Sequence, residues 1–579
     1  MNKRWVIAEP KPAQAEILAR ELHLAMPLAR VLINRGYRDP ETASCFLAPQ
    51  LRQLGDPFEL PGMEAAVDRI LQAIEKGERI VIYGDYDVDG VTSSALLHRV
   101  LLAAGATIAN FLPHRMDEGY GLSQDGIARC LKEHKPQLLI AVDCGTSSAS
   151  EIAHLKKHKV DTIVLDHHEP PEQLPDCVAL VNPKIVGRAS RPPLSDTNHG
   201  RDARATSLAS VGVSFKLAHA LLKRERRLSE KIDLRDHLDL VAIGTVADIV
   251  PLTGENRILA KAGLERLPHT PKIGLRALMD VAGVSDKVTP YHIGFRIGPR
   301  LNAAGRLTDA MAALELLLTD DATRAKQLAA QLDEHNAERQ RIEERMVGEA
   351  IALARTQERD RVLVLAKDGW HIGVIGIVAS RVLQEFYRPT VVIGVEEGMG
   401  KGSCRSVTGF SIVEALSRMP SGLLERFGGH EMAAGLSVKA GNIEKLRQAL
   451  NKLAEKTLKD DDLQQRVRID AVIQLDELDA DFFEQLARLE PCGPDNPTPV
   501  FAAEGVRLRG NPRVVGKNHL RFNVTDGDTS VPAIWWGMGD FEFPQGRLDV
   551  AFTPELNDYR GVESAQLKVR DVRARTDGD

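Results

Sequence analysis

Ile80-Val81-Ile82-Tyr83-Gly84-Asp85-Tyr86-Asp87-Val88-Asp89-Gly90 is an apolar run that ends in three alternating aspartates between two glycines. The pattern recurs. Leu138-Leu139-Ile140-Ala141-Val142 runs into Asp143-Cys144-Gly145, and Thr162-Ile163-Val164-Leu165 runs into Asp166-His167-His168. A later apolar stretch, 240–246, runs into Asp248. Short apolar runs bounded by turn residues read as buried strands. Segments 62–76 and 92–104 between them carry helical periodicity, so strands 79–83, 138–142 and 162–165 belong to a mainly parallel sheet wrapped by helices. The carboxyl ends of such strands converge on one edge, where ligands bind. Carboxylates gathered there repel and partly protonate unless something positive sits between them. The edge therefore predicts divalent metal. Oxygen ligands suit Mg²⁺ or Mn²⁺, and imidazoles tilt the choice toward Mn²⁺.

At 579 residues the chain exceeds one ordinary domain. A prior of about 150 residues per domain predicts about three or four. Hydrophobic and charged fractions of 43% and 27% are those of a soluble globular protein. A net charge of −6 argues against a generally basic nucleic-acid coat and leaves room for a local basic groove. The six cysteines (Cys45, Cys130, Cys144, Cys177, Cys404, Cys492) are scattered without a CxxC pair. They predict free thiols in a reducing compartment, not a disulfide framework or zinc ribbon. No apolar h-region follows Met1-Asn2-Lys3-Arg4-Trp5, and no stretch of about 18 apolar residues occurs. The expectation is a cytoplasmic protein with no membrane partner.

Residues 1–60 read as an N-terminal segment of short amphipathic helices, and 61–310 as the domain that carries the aspartates. Within it, residues 187–207 lack apolar periodicity and read as a mobile surface insert, after which helices resume at 213–224 and 233–246. Residues 311–358 read as one long connecting helix. Asp320 is its candidate N-cap, and Leu328, Leu332, Ile342, Met346 and Ala350 form its apolar stripe. It serves as a packing helix, a rigid spacer, or both. A second α/β domain spans 359–456, with strand 362–365, helix 374–386 and strand 389–395. From 466 to 579, short β-like runs bearing Phe501, Phe522, Trp535, Trp536 and Tyr559 predict a small barrel.

In the first turn, Asp85, Asp87 and Asp89 alternate, so a bend is needed to bring two or three together. Thr92-Ser93-Ser94 reads as the opening of the next helix, a ready anion site. An EF-hand is excluded, because Leu96 stands where its bidentate Glu belongs. Singly, these residues read as a solvated acidic turn, capping histidines and a helix cap at Asp248; together they specify far more. The second domain supplies cations. Gly400-Lys401-Gly402-Ser403-Cys404-Arg405-Ser406 reads as a Gly-rich loop able to present N–H groups and an Arg fork to phosphate. Gly428-Gly429-His430-Glu431 reads as a close-approach turn with an imidazole. Arg296, Arg300, Asn302 and Arg306 lie in a Gly/Pro-spaced segment that reads as a further anion site. Carboxylates on one domain and phosphate-type cations on the other describe a cleft for metal-assisted phosphoester hydrolysis.

GDYDVDGVTSS, Asp143-Cys144-Gly145 and the literal Asp166-His167-His168 resemble the DHH phosphoesterase superfamily, and GKGSCRS and GGHEMAAG resemble its associated C-terminal domain. Leu112-Pro113-His114-Arg115, IGPRLNAAGR, the run from Gly369-Trp370-His371 to Arg381, and Glu490-Pro491-Cys492-Gly493-Pro494-Asp495-Asn496-Pro497 extend the likeness to its single-stranded-DNA-specific exonucleases. The resemblance implies two Mn²⁺ or Mg²⁺ ions held by Asp87, Asp89, Asp143 as a bridge, His167 and Asp248, with His168 as a ligand or donor. Other members carry a His where this chain has Tyr83, and Asp85 is the candidate replacement. Asp87, Asp89, Asp143, His168, Arg405 and His430 are the candidate catalytic set. Arg115, Arg296, Arg300, Asn302, Arg306, Ser403, Arg405, Gly429, His430 and Trp535 are the candidate phosphate and DNA contacts. The resemblance further implies an oligonucleotide-binding barrel and 5′→3′ release of mononucleotides from single-stranded DNA in recombination and repair. It also implies a single-stranded-DNA-binding protein and a repair helicase as partners. Two other readings compete: a phosphodiesterase of short oligonucleotides or cyclic dinucleotides, and a non-catalytic single-strand-binding protein.

Overall fold

The computed structural model describes residues 3–113, 121–185, 207–307, 309–559 and 562–575. Arg115 and the insert read at 187–207, Ser207 apart, lie outside the described residues. The chain forms two compact units, one of Met1–Arg4 and Asp333–Arg466, the other of Trp5–Leu332 and Val467–Asp579.

Strand β1 (Arg4–Ile7) precedes three short helices, α1 (Pro12–Leu22), α2 (Met26–Asn34) and α3 (Pro40–Leu47). Each helix has proline in its first two positions, where a missing N–H is harmless. After α4 (Met63–Glu75) come β2 (Arg79–Gly84), α5 (Val88–Ala103), β3 (Thr107–Phe111), α6 (Gln124–His134), β4 (Leu138–Val142), α7 (Ala149–Lys157), β5 (Asp161–Leu165) and β6 (Ala179–Val181). The strands form the expected sheet, ordered β3-β2-β4-β5-β6 and parallel throughout. Both faces are covered: Ile80 and Ile82 enter one apolar cluster, Val81 and Tyr83 another. This explains why the strands read as continuous apolar runs.

Helices follow in this region: α8 (Ser210–Arg224), α9 (Leu238–Ala247), α10 (Gly254–Arg266), α11 (Ile273–Val281) and, after a π-helical turn at Ile293–Ile297, α12 (Gly298–Leu307). The apolar stretch 240–246 lies in α9, within the segment 233–246 read as helical. An apolar run without periodicity fits a buried helix as well as a buried strand, and α9 is buried from Leu238 to Thr245. Residues 311–358 are two helices, α13 (Met311–Leu318) and α14 (Ala322–Arg355). The cap of α14 is Asp321, not Asp320: its carboxylate accepts from Thr323 N at 2.7 Å and Arg324 N at 3.2 Å. Leu328 and Leu332 are buried in one unit's core, Met346 and Ala350 in the other's.

Next come β7 (Leu363–Asp368), α15 (Ile375–Phe386), β8 (Thr390–Glu396), β9 (Met399–Arg405), α16 (Ile412–Ser417), β10 (Arg426–Gly429), β11 (Ala433–Lys439) and α17 (Ile443–Thr457). Their sheet runs β10-β11-β9-β8-β7, and only β7–β8 is parallel. The glycine-rich segment 400–405, read as a loop, is strand β9. Gly400 and Gly402 recur at the strand period, and a Cβ on them would lie 2.7 Å from Ile393 and 2.8 Å from Leu436. These glycines make room for neighbours across the sheet and do not break it.

The chain ends with β12 (Arg466–Ile469), β13 (Ala471–Val472), α18 (Ala480–Ala487), β14 (Phe501–Leu508), β15 (Arg513–Val515), β16 (His519–Thr525), β17 (Ser530–Trp535), β18 (Leu548–Tyr559) and β19 (Val562–Ala574). Pairing runs β14-β18-β19-β17-β16, and β16 returns to β14, so five strands close a ring of hydrogen bonds. Its core is shared: Leu18, Leu28, Leu32 and Phe46 pack in one cluster with Phe482, Phe501, Phe522 and Phe552. Trp535 belongs to this core at 5% exposure, which corrects its assignment as a DNA contact. It points inward on β17, as the period of two dictates, and the exposed ring is Trp536, at 53%.

A buried arginine ties three segments of this unit. Arg257 on α10 is 1% exposed, and no carboxylate forms an ion pair with it among the described residues. It donates instead to five carbonyls, those of Phe46, Arg488, Leu489, Glu490 and Pro491, at 2.9–3.0 Å. The Phe46 ring lies 4.0 Å from the guanidinium carbon. Leu252 N donates to Pro494 O nearby. Residues 490–497 thus act as a wrapping for Arg257. Replacing Arg257 with Leu strips donors from these carbonyls, each worth about 1–3 kcal/mol when buried unpaired. We expect a loss above ~4 kcal/mol, in the range reserved for broken buried networks, and partial recovery with Lys. The midpoint of thermal unfolding measures it; an unchanged midpoint contradicts this account.

Candidate active site

The turn after β2 is bent by the start of α5. Asp87 is the N-cap of that helix, its Oδ1 accepting from Asp89 N at 2.9 Å and Gly90 N at 3.1 Å. A Cβ on Gly90 would lie 2.4 Å from Asp85 O, so the turn closes only with glycine there. The helix starts four residues earlier than its sequence reading. Thr92, Ser93 and Ser94 are therefore buried inside it, and the anion at its N-terminus is the Asp87 carboxylate itself. Asp89, 1% exposed, is held by the start of a second helix: Ser210 N and Val211 N of α8 donate to its two oxygens at 2.7 and 2.9 Å. Asp143 follows β4 with φ +62, and its Oδ1 accepts from Ser210 Oγ at 3.0 Å. Ser210 therefore orients two of the aspartates. Its only sequence signal was a small hydroxyl residue just ahead of an apolar helix.

Asp166 takes a supporting place. It accepts from the backbone N–H groups of Thr146, His167 and His168 and from His168 Nδ1, the last at 2.7 Å. Asn182 braces the arrangement through Thr146 Oγ1 and His168 O. His167 faces the cluster: its Nε2 lies 3.5 Å from Asp143 Oδ1 and 3.3 Å from Asp248 Oδ2. Asp248 is the C-cap of α9. Beside it, Ile249 has φ +60 and is 71% exposed, a strained position for a β-branched residue. Tyr83 is fully buried and donates to Gly121 O at 3.3 Å.

These side chains fit divalent cations. Three groups have ligand atoms within 4.8 Å of one another: Asp85 with Asp87 and Asp143; Asp89 with His167 and Asp248; and Asp143 with His167 and His168. Asp143 and His167 are each shared by two groups. His167 Nε2 and Asp248 Oδ2 are buried, and neither has a hydrogen-bond partner among the described residues. Buried polar atoms left so are exceptional, and both point at the same space.

The protonation pattern follows from this crowding. Burial first, then the Asp87 charge, raises Asp89 to about 7. Burial, Asp89 and Asp87 raise Asp248 to about 9. Asp143 stands well above the carboxylate range through burial and four neighbouring aspartates. Burial lowers His167 to about 3. Burial would lower His168 too, but its bond to Asp166 and the nearby carboxylates outweigh that and raise it. Burial would likewise raise Asp166, yet the His168 bond holds it low.

The second unit holds a separate arrangement. Ser403 and Arg405, two apart on β9, share a face. Arg405 Nη1 donates to Ser403 Oγ at 3.1 Å and Cys404 O at 2.8 Å. A Cβ on Gly376, at the start of α15, would lie 3.2 Å from both Arg405 Nη2 and Ser403 Oγ. A helix N-terminus, a guanidinium and a hydroxyl thus meet, the chemistry of an anion seat. Burial lowers the Arg405 pKa. Gly429 ends β10 with φ +143, and His430 is exposed in the turn to β11, where Ala433 pairs with Arg405. Arg296 and Arg300 reach backbone carbonyls. Arg296 donates to Gly283 O at 2.7 Å, and Arg300 to Arg296 O and Val281 O at 2.7 and 3.3 Å, so both close the end of α11. Asn302 and Arg306 are half-buried on α12.

The raised carboxylates fix how stability varies with pH when divalent ions are chelated. A folded-state pKa above the unfolded value contributes stability that is complete below the ordinary 3.8 and is lost as pH rises through the folded value. The unfolding midpoint in chelator should therefore fall progressively as pH climbs through about 7 toward about 9. Asp248→Asn should flatten the upper part of that fall. A fluorimetric melting series across pH checks this, and a midpoint independent of pH contradicts it.

Residues 79–245 match the DHH family N-terminal domain, 359–456 the DHHA1 domain and 469–571 the RecJ OB domain. The single-stranded-DNA-specific exonuclease RecJ of Bacillus subtilis is 37% identical over 578 residues, covering 98% of this chain and 70% of the relative. That of Haemophilus influenzae is 36% identical over 547 residues, covering 90% and 92%. The crystal structure of RecJ from Thermus thermophilus in complex with Mn²⁺ matches with a TM-score of 0.84 at 32% identity, over 99% of this chain and 80% of that one. With three domain matches in order and likeness along nearly its whole length, the chain belongs to the RecJ family of DHH phosphoesterases.

Proposed function

We propose that the protein is a metal-dependent exonuclease that degrades single-stranded DNA from its 5′ end to mononucleotides, in recombination and repair. The observation that carries this reading is the trio of overlapping carboxylate–imidazole groups that share Asp143 and His167. Its relatives' names support the substrate. The ring-closed C-terminal strands, absent from a compact phosphodiesterase, support a long strand over a dinucleotide. Among the described residues no helix is long and apolar enough to cross a membrane. All six cysteines are free, which suits a reducing cytoplasm. A single-stranded-DNA-binding protein and a helicase are the partners that would supply such a substrate.

Two Mn²⁺ or Mg²⁺ ions, when bound, would supply Lewis-acid charge and a water acidic enough to attack phosphorus. Asp85, Asp87 and Asp143 would hold one, and Asp89, His167 and Asp248 with the shared Asp143 the other. Ser210 and the α8 N-terminus keep Asp89 and Asp143 aimed. Asp166 holds His168 through Nδ1, leaving Nε2 as the candidate ligand or donor to a phosphate oxygen. Ser403, Arg405 and the α15 N-terminus would seat a terminal 5′-phosphate, with His430 as a further donor.

Asp143→Ala should abolish hydrolysis while the protein stays folded and single strands still bind, because its carboxylate serves both ions. Turnover of a labelled strand in Mn²⁺, with chelator as control, tests this; near-normal turnover removes the two-ion assignment. Arg405→Ala should raise KM for 5′-phosphorylated strands about ten- to a hundred-fold more than for 5′-hydroxyl strands. That matches the roughly 1.5–3 kcal/mol of a charge-assisted hydrogen bond, and Lys should rescue only in part, since it lacks the fork. An equal fall in kcat on both strands would place Arg405 on the scissile phosphate instead.

A further inference from the structure

Two large aromatic rings stand in water on the unit that carries the acidic cluster. Tyr291 is 59% exposed and Phe295 65%. They stack on each other, with centroids 4.9 Å apart and planes 26° from parallel. A single exposed apolar side chain means little, but a pre-stacked pair is a surface with a π-face on offer. The backbone beneath is unusual too. Phe295 lies in the π-helical turn Ile293–Ile297, a geometry frequently found at functional sites.

The helical segment bearing the pair continues without a break into α12, which runs along the acidic cluster. A Cβ on Gly298 would lie 3.6 Å from Ala247 Cβ, the residue before Asp248. A Cβ on Gly305 would lie 2.8 Å from Tyr86 O, between Asp85 and Asp87. Along the helix Phe295 stands about 5–15 Å and Tyr291 about 10–21 Å from these contacts, which adjoin Asp248 and the Asp85–Asp87 turn. At about 3.4 Å per nucleotide of stacked strand, the pair spans positions one to roughly six nucleotides away.

We propose that Tyr291 and Phe295 form a base-stacking platform that grips an unpaired base within the first few nucleotides of the reacting phosphate. The inference rests on the exonuclease reading for the identity of the ligand. A base in a duplex has its faces covered by neighbours and its edge paired, so a platform this close to the reaction centre favours strands that are already single. Stacking is tolerant of sequence because every base has a π-face. The pair therefore contributes grip and strand selection without base preference.

Both rings are exposed, so substitution should leave the fold intact, which an unchanged melting midpoint verifies. The test measures binding in chelator, where no cleavage occurs, for wild type, Phe295→Leu and the double variant Tyr291→Ala/Phe295→Ala. Each binds a 5′-phosphorylated strand, either intact or carrying abasic sites at its second to fifth positions. The double variant should bind the intact strand roughly five- to a hundred-fold more weakly. Phe295→Leu, apolar but without a ring, should fall between. Wild type should lose a similar factor on the abasic strand, and the double variant should lose little more. Unchanged binding by the double variant overturns the proposal and leaves the patch to a protein partner. An equal loss on intact and abasic strands overturns it as well, since it would reflect a backbone contact. Failure of the exonuclease reading itself shows separately, as wild-type protein in Mn²⁺ that cleaves no single strand.

Discussion

The carboxylates crowded at one sheet edge are the constraint on which this structure turns. Every unit of pKa displacement stands for ~1.4 kcal/mol between charged and neutral forms. With Asp89 at about 7 and Asp248 at about 9, the metal-free cluster is therefore under considerable electrostatic load. The surrounding fold offsets part of it with dipoles. Asp87 sits at the head of α5 and Asp89 at the head of α8, where partial positive charge and free N–H groups favour an anion. Asp143 adopts a left-handed backbone and accepts a hydrogen bond from the Ser210 hydroxyl at the start of α8. Burial and its neighbouring aspartates raise it well above the carboxylate range, and it belongs to two of the three possible ligand groups.

A second dependence links the ends of the chain. The N-terminal helices complete the apolar core of the C-terminal strands, and Arg257 joins α3, α10 and residues 488–491 through carbonyls alone. A guanidinium has five donors in a rigid fork, and here all its bonds go to main-chain oxygen. Removing residues 466–579 would expose the inner faces of α1–α3 and leave Arg257 buried without most of its acceptors. The role of the strands in holding DNA is thus better dissected with point substitutions than by truncation.

The parallel sheet was legible because strand, turn and helix each left a local signature between residues 62 and 165, and the strand-end aspartates fell where convergence requires. What escaped was whatever depends on tertiary context. Segment 400–405 looked like a loop because glycine usually breaks a strand, and only the neighbouring Ile393 and Leu436 explain glycines at alternate positions. Trp535 and Trp536 are adjacent, and the register of β17 alone decides which one is core. Ser210 gave almost no signal, since its value lies in meeting Asp89 and Asp143 from far along the chain.

The arginines show most plainly why composition underdetermines a site. Arg296, Arg300 and Arg405 all lie in Gly- or Pro-spaced segments and looked equivalent. Arg405 sits beside a hydroxyl and a helix N-terminus, where an anion would complete the arrangement. Arg296 and Arg300 instead donate to carbonyls at the end of α11, groups every helix leaves unpaired at its C-terminus. These bonds fasten the π-helical turn and the head of α12 to a neighbouring helix. That turn carries Phe295. A platform fixed in advance loses little entropy when a base stacks on it, so if Tyr291 and Phe295 stack a base as proposed, these two arginines would aid strand binding by holding Phe295 still.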